Sequence, residues 1–436
     1  MAGCAGGDSS PTPAYAKPAS LTVAGLLPGL PEPSNTSQPS GGNNVETPLA
    51  ADALADSVGL NSQTPLLYTQ ADFTTIVSAE KALGVRHLRE GILNGMAPYD
   101  AALSSVLNAT NASVDGIGDC AGLASNSAAP TSAASIQQFN AAIGNRLESV
   151  EGPNEPDLRG DPKWVADTIA CLPGLRSATH LPFVGPALGD PTDDASSLGD
   201  IAPLVDEGNL HRYYAGRNPG TPGWGGTSSC GVYGALPWAL CLSRENTQSK
   251  PIVVTETGYN SQTEVDETTQ AKYLTRAFLV DLQAGVARSY VYDIKDNPAD
   301  GSFSGNGLLR SDDSQKPAFT AIENEISYFT DRTTHVAVPL TYSLKNTSLD
   351  HQLFQKSDGT YILALWNETA SWNVVTNSPN VVVPQSQTVL LGRVPSSVSA
   401  VAFTDTGSLV PAATTTAGAD ITLPVDDHVS LVSFKF

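Results

Sequence analysis

Two periods of apolar residues divide the chain. From about Ala50 to Phe329, short apolar runs alternate with stretches whose apolar residues recur every three or four positions, as strands alternating with helices do. Ser57–Asn61, Val85–Glu90, Ala112–Ile117, the stretch from Leu147, Leu181–Pro186, Gly208–Tyr214, Ile252–Glu256 and Ala287–Asp293 read as eight strands. Between them, Phe73, Ile76, Val77 and Leu83 share one helical face, with Asp72 before them as cap and Gly84 after them as stop. Ile136, Phe139 and Ile143 mark a second such face. Trp164, Val165 and Ile169, behind the Asp161-Pro162 cap, mark a third. Tyr273, Leu274, Ala277, Phe278 and Leu282, ended by Gly285, mark a fourth, and Phe319, Ile322, Ile326 and Phe329, opened by Pro317, a fifth. Eight strands with helices between them predict an α/β fold, the (β/α)8 TIM barrel, over residues 49–330.

From Thr330 the helical period stops. Val336–Val338, Leu353-Phe354, Tyr361–Trp366, Val381–Val383, Thr388–Leu391 and Val429–Phe434 are short apolar runs separated by turn residues. They predict a C-terminal antiparallel β-sandwich domain over 331–436. Residues 1–48 follow neither period. They are rich in Pro, Ser, Gly, Thr and Ala and nearly uncharged, the composition of a flexible tether, of which residues 1–45 are expected to be dispensable for stability. Within them, only Ser20–Leu27 has strand character.

Charge narrows the partners. Asp plus Glu number 44 against 23 Lys plus Arg, a net charge of −21. That argues against nucleic acid and anionic membranes and fits a neutral substrate. No apolar run approaches the ~20 residues of a membrane span. Met1-Ala2-Gly3-Cys4 lacks a signal-peptide pattern, yet Ala-Gly-Cys before a Gly/Ser/Pro tether resembles a processed bacterial lipoprotein, with Cys4 the lipid anchor. Cys120, Cys171, Cys230 and Cys241 show no metal spacing. In an exported chain they predict two disulfides, Cys230 with Cys241 across one loop and Cys120 with Cys171 after neighbouring strands. The sequons at Asn35, Asn108, Asn111, Asn346 and Asn367 mean glycosylation only in a eukaryotic host.

The candidate chemistry lies at two strand ends. Leu147–Asp157 runs into Gly-Pro-Asn154-Glu155-Pro, and Ile252–Gly258 carries Glu256 after a buried β-branched run. Glutamate is rarely buried without a partner, so packing explains neither. On strands four and seven of a barrel, both fall on its catalytic face and can face each other across the mouth. Two carboxyls about 5–5.5 Å apart are what a retaining glycosidase needs, one to protonate the leaving oxygen and one to attack the anomeric carbon. Strand alternation puts Arg89 on the same side as His87, where it can hold Glu256 ionised. The alternatives are a helix-start carboxylate for Glu155, a surface arginine for Arg89, and for His211 either a satisfied structural histidine or a group orienting Glu256. The long loop from Ala215 to Trp238 holds Trp224, Tyr233 and Trp238 between glycines, either as a sugar-stacking wall or as anchors of the loop. Glu90, Glu151, Asp157 and Asp293 read as supporting or solvated groups. No phosphate loop, Ser-His-Asp order or metal cluster competes, and no cofactor is expected.

Asn154-Glu155-Pro156 on strand four and Thr255-Glu256-Thr257-Gly258 on strand seven resemble glycoside hydrolase clan A, families five and thirty-nine most. His211-x-Tyr213 resembles the clan's strand-six motif, and Gly307-Leu308-Leu309-Arg310 through Lys316-Pro317-Ala318-Phe319 resembles the end of its barrels. The resemblance covers about 50–330. It implies Glu155 as acid/base, Glu256 as nucleophile, Asn154 on the sugar 2-hydroxyl, and retention of configuration. The clan's strand-eight tryptophan is not evident, and Tyr292 stands in its place. The expectation is a monomeric, secreted or lipid-anchored hydrolase of an oligo- or polysaccharide. The alternatives are a carbohydrate-binding pseudoenzyme and a transglycosylase using the same residues.

Overall fold

Of 436 residues, the computed structural model describes 44–93, 95–120 and 130–436. Cys4, Asn35, the strand expected near Leu21–Leu27 and most of the 1–48 tether lie outside the described residues.

The first expectation holds strand by strand. β1 (Val58–Asn61), β2 (His87–Gly91), β3 (Ser113–Ile117), β4 (Leu147–Glu151), β5 (Phe183–Val184), β6 (Gly208–Tyr213), β7 (Ile252–Gly258) and β8 (Val286–Val291) form one parallel sheet. Its order runs β5-β4-β3-β2-β1-β8-β7-β6. The ends meet where Val184 bridges Glu207 and the Gly185 N–H donates to the Glu207 carbonyl at 2.9 Å. One longer helix follows each strand: α1 (Phe73–Leu83), α2 (Ala97–Thr110), α3 (Ala133–Ala142), α4 (Trp164–Ser177), α5 (Pro191–Leu198), α6 (Leu236–Thr247), α7 (Glu267–Gln283) and α8 (Pro317–Phe329). The result is a TIM barrel. All of β7 is buried, as a parallel strand covered on both faces must be.

Several helix details differ from the sequence reading. Gly84 does end α1, in the left-handed conformation (φ 76°). Asp72 precedes it without a side-chain capping bond, because its carboxylate pairs with Lys295 at 2.8 Å. α4 begins at Trp164, later than Asp161-Pro162 suggests, and buries Trp164, Thr168, Leu172 and Leu175. Ile169 lies outside that stripe and is exposed.

The C-terminal part is a β-sandwich. Its six-stranded sheet explains the run Tyr361–Trp366, which is buried throughout. Ile362, Ala364 and Trp366 join the barrel's core, where Phe354 of the same sheet meets Phe329 of α8 at 4.8 Å. Tyr361, Leu363 and Leu365 point the other way into the sandwich core. Period-two alternation with two buried faces gives a continuous apolar strand.

Two expected sandwich strands are corrected. Val336–Val338 precedes a strand that starts at Leu340, and Val381–Val383 precedes one that starts at Gln385. Val336, Val338, Val381 and Val383 are all exposed, so these apolar runs are not core. Conversely, Asn44–Glu46 pairs antiparallel with Leu340–Leu344, and Leu49–Ala50 pairs parallel with Phe354-Gln355. Asn44–Glu46, inside the span read as tether, and Leu49–Ala50, at the start of the span read as barrel, are thus edge strands of the sandwich, one in each sheet. Both expected disulfides are present, Cys120 with Cys171 and Cys230 with Cys241.

Candidate active site

Backbone geometry places the two glutamates. β4 ends at Glu151, and Gly152 follows, where a Cβ would stand 2.9 Å from the Pro186 nitrogen. Only glycine permits that approach. Asn154 then bridges Ala187, and Glu155 takes a left-handed conformation (φ 44°) before Pro156 starts a 3-10 turn. On β7, the register against β6 shifts between Val254 and Glu256, which sets Glu256 opposite His211. Such an irregularity re-aims a side chain.

Arg89 organises the floor. Its Nε and Nη2 bond both oxygens of Glu151 at 2.7 and 2.8 Å. Nη1 donates to Asn61 Oδ1 at 3.0 Å and Glu256 Oε1 at 2.7 Å, and Nη2 donates to Asn154 Oδ1 at 2.6 Å. All five N–H groups of the guanidinium are used. Burial raises the pKa of Glu151, but Arg89 outweighs it and holds this carboxylate below its usual range. Asp115 behind it is pushed up by burial and by the Glu151 charge. Because the Asn154 carbonyl oxygen accepts from Arg89, its NH₂ is the end of the amide that remains to donate to another group.

The surroundings of the two glutamates differ. Glu256 Oε2 accepts from the Tyr213 hydroxyl at 2.8 Å. Burial and the Glu256 charge keep that hydroxyl protonated. Glu155 Oε1 lies 2.7 Å from His211 Nδ1, which is also 3.5 Å from Glu256. Burial lowers the His211 pKa, yet the Glu256 charge and the Glu155 bond prevail and raise it above the ordinary value. Burial raises Glu155, yet the His211 hydrogen bond and charge prevail and lower it. One oxygen of each glutamate and a His211 nitrogen all lie within 4.8 Å of one another.

The structure therefore brings Glu155, Glu256, Asn154, Arg89, His211 and Tyr213 together. Tyr292 stands at the end of β8, joined to Asp293 by a cis peptide, and its hydroxyl bonds Asp300 at 2.6 Å. Trp224 belongs to a different cluster: its ring meets Tyr233 at 5.6 Å and lies under the Arg217 guanidinium at 4.5 Å. Tyr233 also meets Trp238 at 4.7 Å. The sandwich braces this loop, with Glu368 accepting from Asn218 Nδ2 at 2.6 Å and from the Gly220 N–H at 2.9 Å.

Glu151, read from the sequence as a supporting or solvated group, is the buried partner of Arg89 on a different strand. Sequence reasoning missed two other groups. Glu368 comes from the other domain. Phe303 packs against both Tyr213 and Tyr292. It stands between glycines in a loop of the catalytic face, the same signal that singled out Trp224.

No known family model matches the sequence, and no curated protein matches it. Solved structures do. One is a family 39 glycoside hydrolase from Bacteroides cellulosilyticus, 16% identical, with 89% of this chain and 82% of that one covered and a TM-score of 0.54. A glucosidase from Croceicoccus marinus is 11% identical over 90% of this chain and 98% of its own, with a TM-score of 0.58. A monomeric β-xylosidase from Caulobacter crescentus is 11% identical over 90% and 97%, with a TM-score of 0.56. The chain has the fold of these glycoside hydrolases, so the clan A resemblance of its strand-end motifs extends to the architecture.

Proposed function

We propose that this protein is a retaining glycoside hydrolase acting on an oligo- or polysaccharide outside the cytoplasm. The observation that carries the reading is the approach of Glu155 and Glu256 within 4.8 Å, in unlike surroundings. Inverting enzymes hold their carboxyls about 6.5–9.5 Å apart to admit a water, and retaining enzymes hold them closer. Glu256, fixed by Arg89 and Tyr213, is the nucleophile: its oxygen bonds the anomeric carbon as the glycosidic C–O bond breaks. Glu155 is the acid/base. The proton held between Glu155 and His211 passes to the leaving oxygen, and Glu155 then takes a proton from the water that releases the sugar. Asn154 donates to a hydroxyl of the reacting sugar. The two disulfides support an oxidising compartment.

Azide with the two alanine variants tests the roles. Glu256→Ala should abolish turnover on every glycoside, and Glu155→Ala should lose less on an activated aryl glycoside than on a glycan, by roughly 10²–10⁴-fold. On a β-glycoside, azide should rescue Glu155→Ala with a β-configured product and Glu256→Ala with an inverted one. The opposite pattern swaps the roles. Affinity for glycans with no release by the wild type would make the chain a binding protein.

A further inference from the structure

Of eleven phenylalanines and five tryptophans, Phe303 is the most open to solvent, with 37% of its surface exposed. An exposed aromatic ring elsewhere on a surface needs no explanation. This one packs on Tyr213, the residue that holds Glu256. Its centroid is 4.8 Å from Tyr213, whose hydroxyl holds Glu256, and 5.8 Å from Tyr292 at the end of β8. The 3-10 turn Gly301–Phe303 presents it, and the Tyr292–Asp300 bond at 2.6 Å ties the turn to the strand.

We propose that Phe303 is a sugar-binding platform at the rim of the cleft. It takes the apolar face of the unit next to the reacting sugar, on the nucleophile's side. The proposal rests on the glycosidase reading above. Two contacts, Phe303 to Tyr213 and Tyr213 to Glu256, separate the ring from the nucleophile, which sets it outside the reacting unit's own place. A pyranose offers a flat array of C–H bonds, and an aromatic face is the surface that binds one without desolvating hydroxyls. The unit is neutral. The chain carries a net charge of −21, which disfavours a uronic acid.

Wild-type hydrolysis of p-nitrophenyl glycosides first identifies the sugar, and the matching tetrasaccharide is then the probe. In a Glu256→Gln background, calorimetry should find tetrasaccharide binding weakened about tenfold by Phe303→Leu, which keeps apolar packing on Tyr213, and held within about twofold by Phe303→Trp. In the otherwise native enzyme, Phe303→Leu should lose about tenfold more kcat/KM on the tetrasaccharide than on the aryl monoglycoside. Equal losses on both would place the effect at Tyr213 and overturn the proposal, as would tetrasaccharide binding that Phe303→Leu leaves intact. Should the wild type hydrolyse no glycoside, the glycosidase reading itself fails. Should it hydrolyse them while Phe303→Leu binds normally, only the platform fails.

Discussion

His211 and Glu155 meet through a single contact, Nδ1 to Oε1 at 2.7 Å, with the imidazole 2% exposed. Against burial, the Glu256 charge and then the Glu155 bond raise the His211 pKa, and the His211 bond and charge lower that of Glu155. Between them they hold a proton at a pH where an isolated carboxyl would have lost it.

The pH profile reports that sharing. In the wild type the basic limb of kcat/KM should lie above the ordinary histidine value of ~6.5, where the pair loses its proton. His211→Phe leaves Glu155 as a lone carboxyl, and the limb should move to lower pH. Its removal has a stability counterpart. A folded His211 pKa above the unfolded one stabilises the protein below about pH 6.5, and this is lost as pH rises through the folded value. The variant's thermal stability should vary less across that window. A basic limb that stays in place would sink the shared-proton account.

Arg89 should tolerate no replacement. Arg89→Ala leaves Glu151 charged and buried, and breaking such a pair costs about 3–5 kcal/mol. Arg89→Lys keeps the charge but offers three donors in place of five, so Asn154 and Glu256 lose their fixed positions. We expect kcat/KM to fall about 10²-fold in the lysine variant, with a smaller loss in urea denaturation than alanine causes. Full activity in Arg89→Lys would show that the network does not position the nucleophile.

Glu325 on α8 is fully buried, and neither of its oxygens has a hydrogen-bond partner among the described residues. Burial alone raises its pKa well above normal. The folded state favours the protonated form, so its contribution is intact below the unfolded value of ~4.3 and is lost as pH rises towards the folded one. Glu325→Leu should therefore melt a few degrees higher than wild type at pH 8, with the gain shrinking towards pH 4. Melting curves at several pH values would reveal a constant difference if ionisation plays no part.

The disulfides differ in reach. Cys230–Cys241 closes a separation of 11 residues and Cys120–Cys171 one of 51. Loop-closure entropy makes them worth about 3 and about 4 kcal/mol. Paired Cys→Ser variants, compared in urea at fixed temperature, should rank in that order. A larger loss at the shorter loop would point to packing of the Trp224 loop as the dominant effect.

The barrel was legible because its period is forced: a strand between two layers must be apolar, and a helix on one must be striped. Glu155, Glu256 and Arg89 stood out as charges where that rule demands none. What the sequence concealed was set by distant partners. Asn44–Ala50 has the composition of its tether neighbours, and only Leu340–Leu344 and Phe354-Gln355 make it strand. Val381–Val383 has strand propensity, yet Val381 is 94% exposed because no sheet face covers it. Propensity is decided by the neighbours a strand acquires.

The pairing of Asn44–Glu46 and Leu49–Ala50 with the sandwich has a consequence for how the molecule is made. These strands leave the ribosome before any of the barrel, and their partners around Tyr342 and Phe354 follow its last helix. The sandwich is the domain that closes last, and it fastens the start of the described chain to its end. A barrel cut free for expression would keep two strands whose edges have lost their mates. Unpaired edges recruit other chains, so such a fragment should precipitate unless it begins after Ala50.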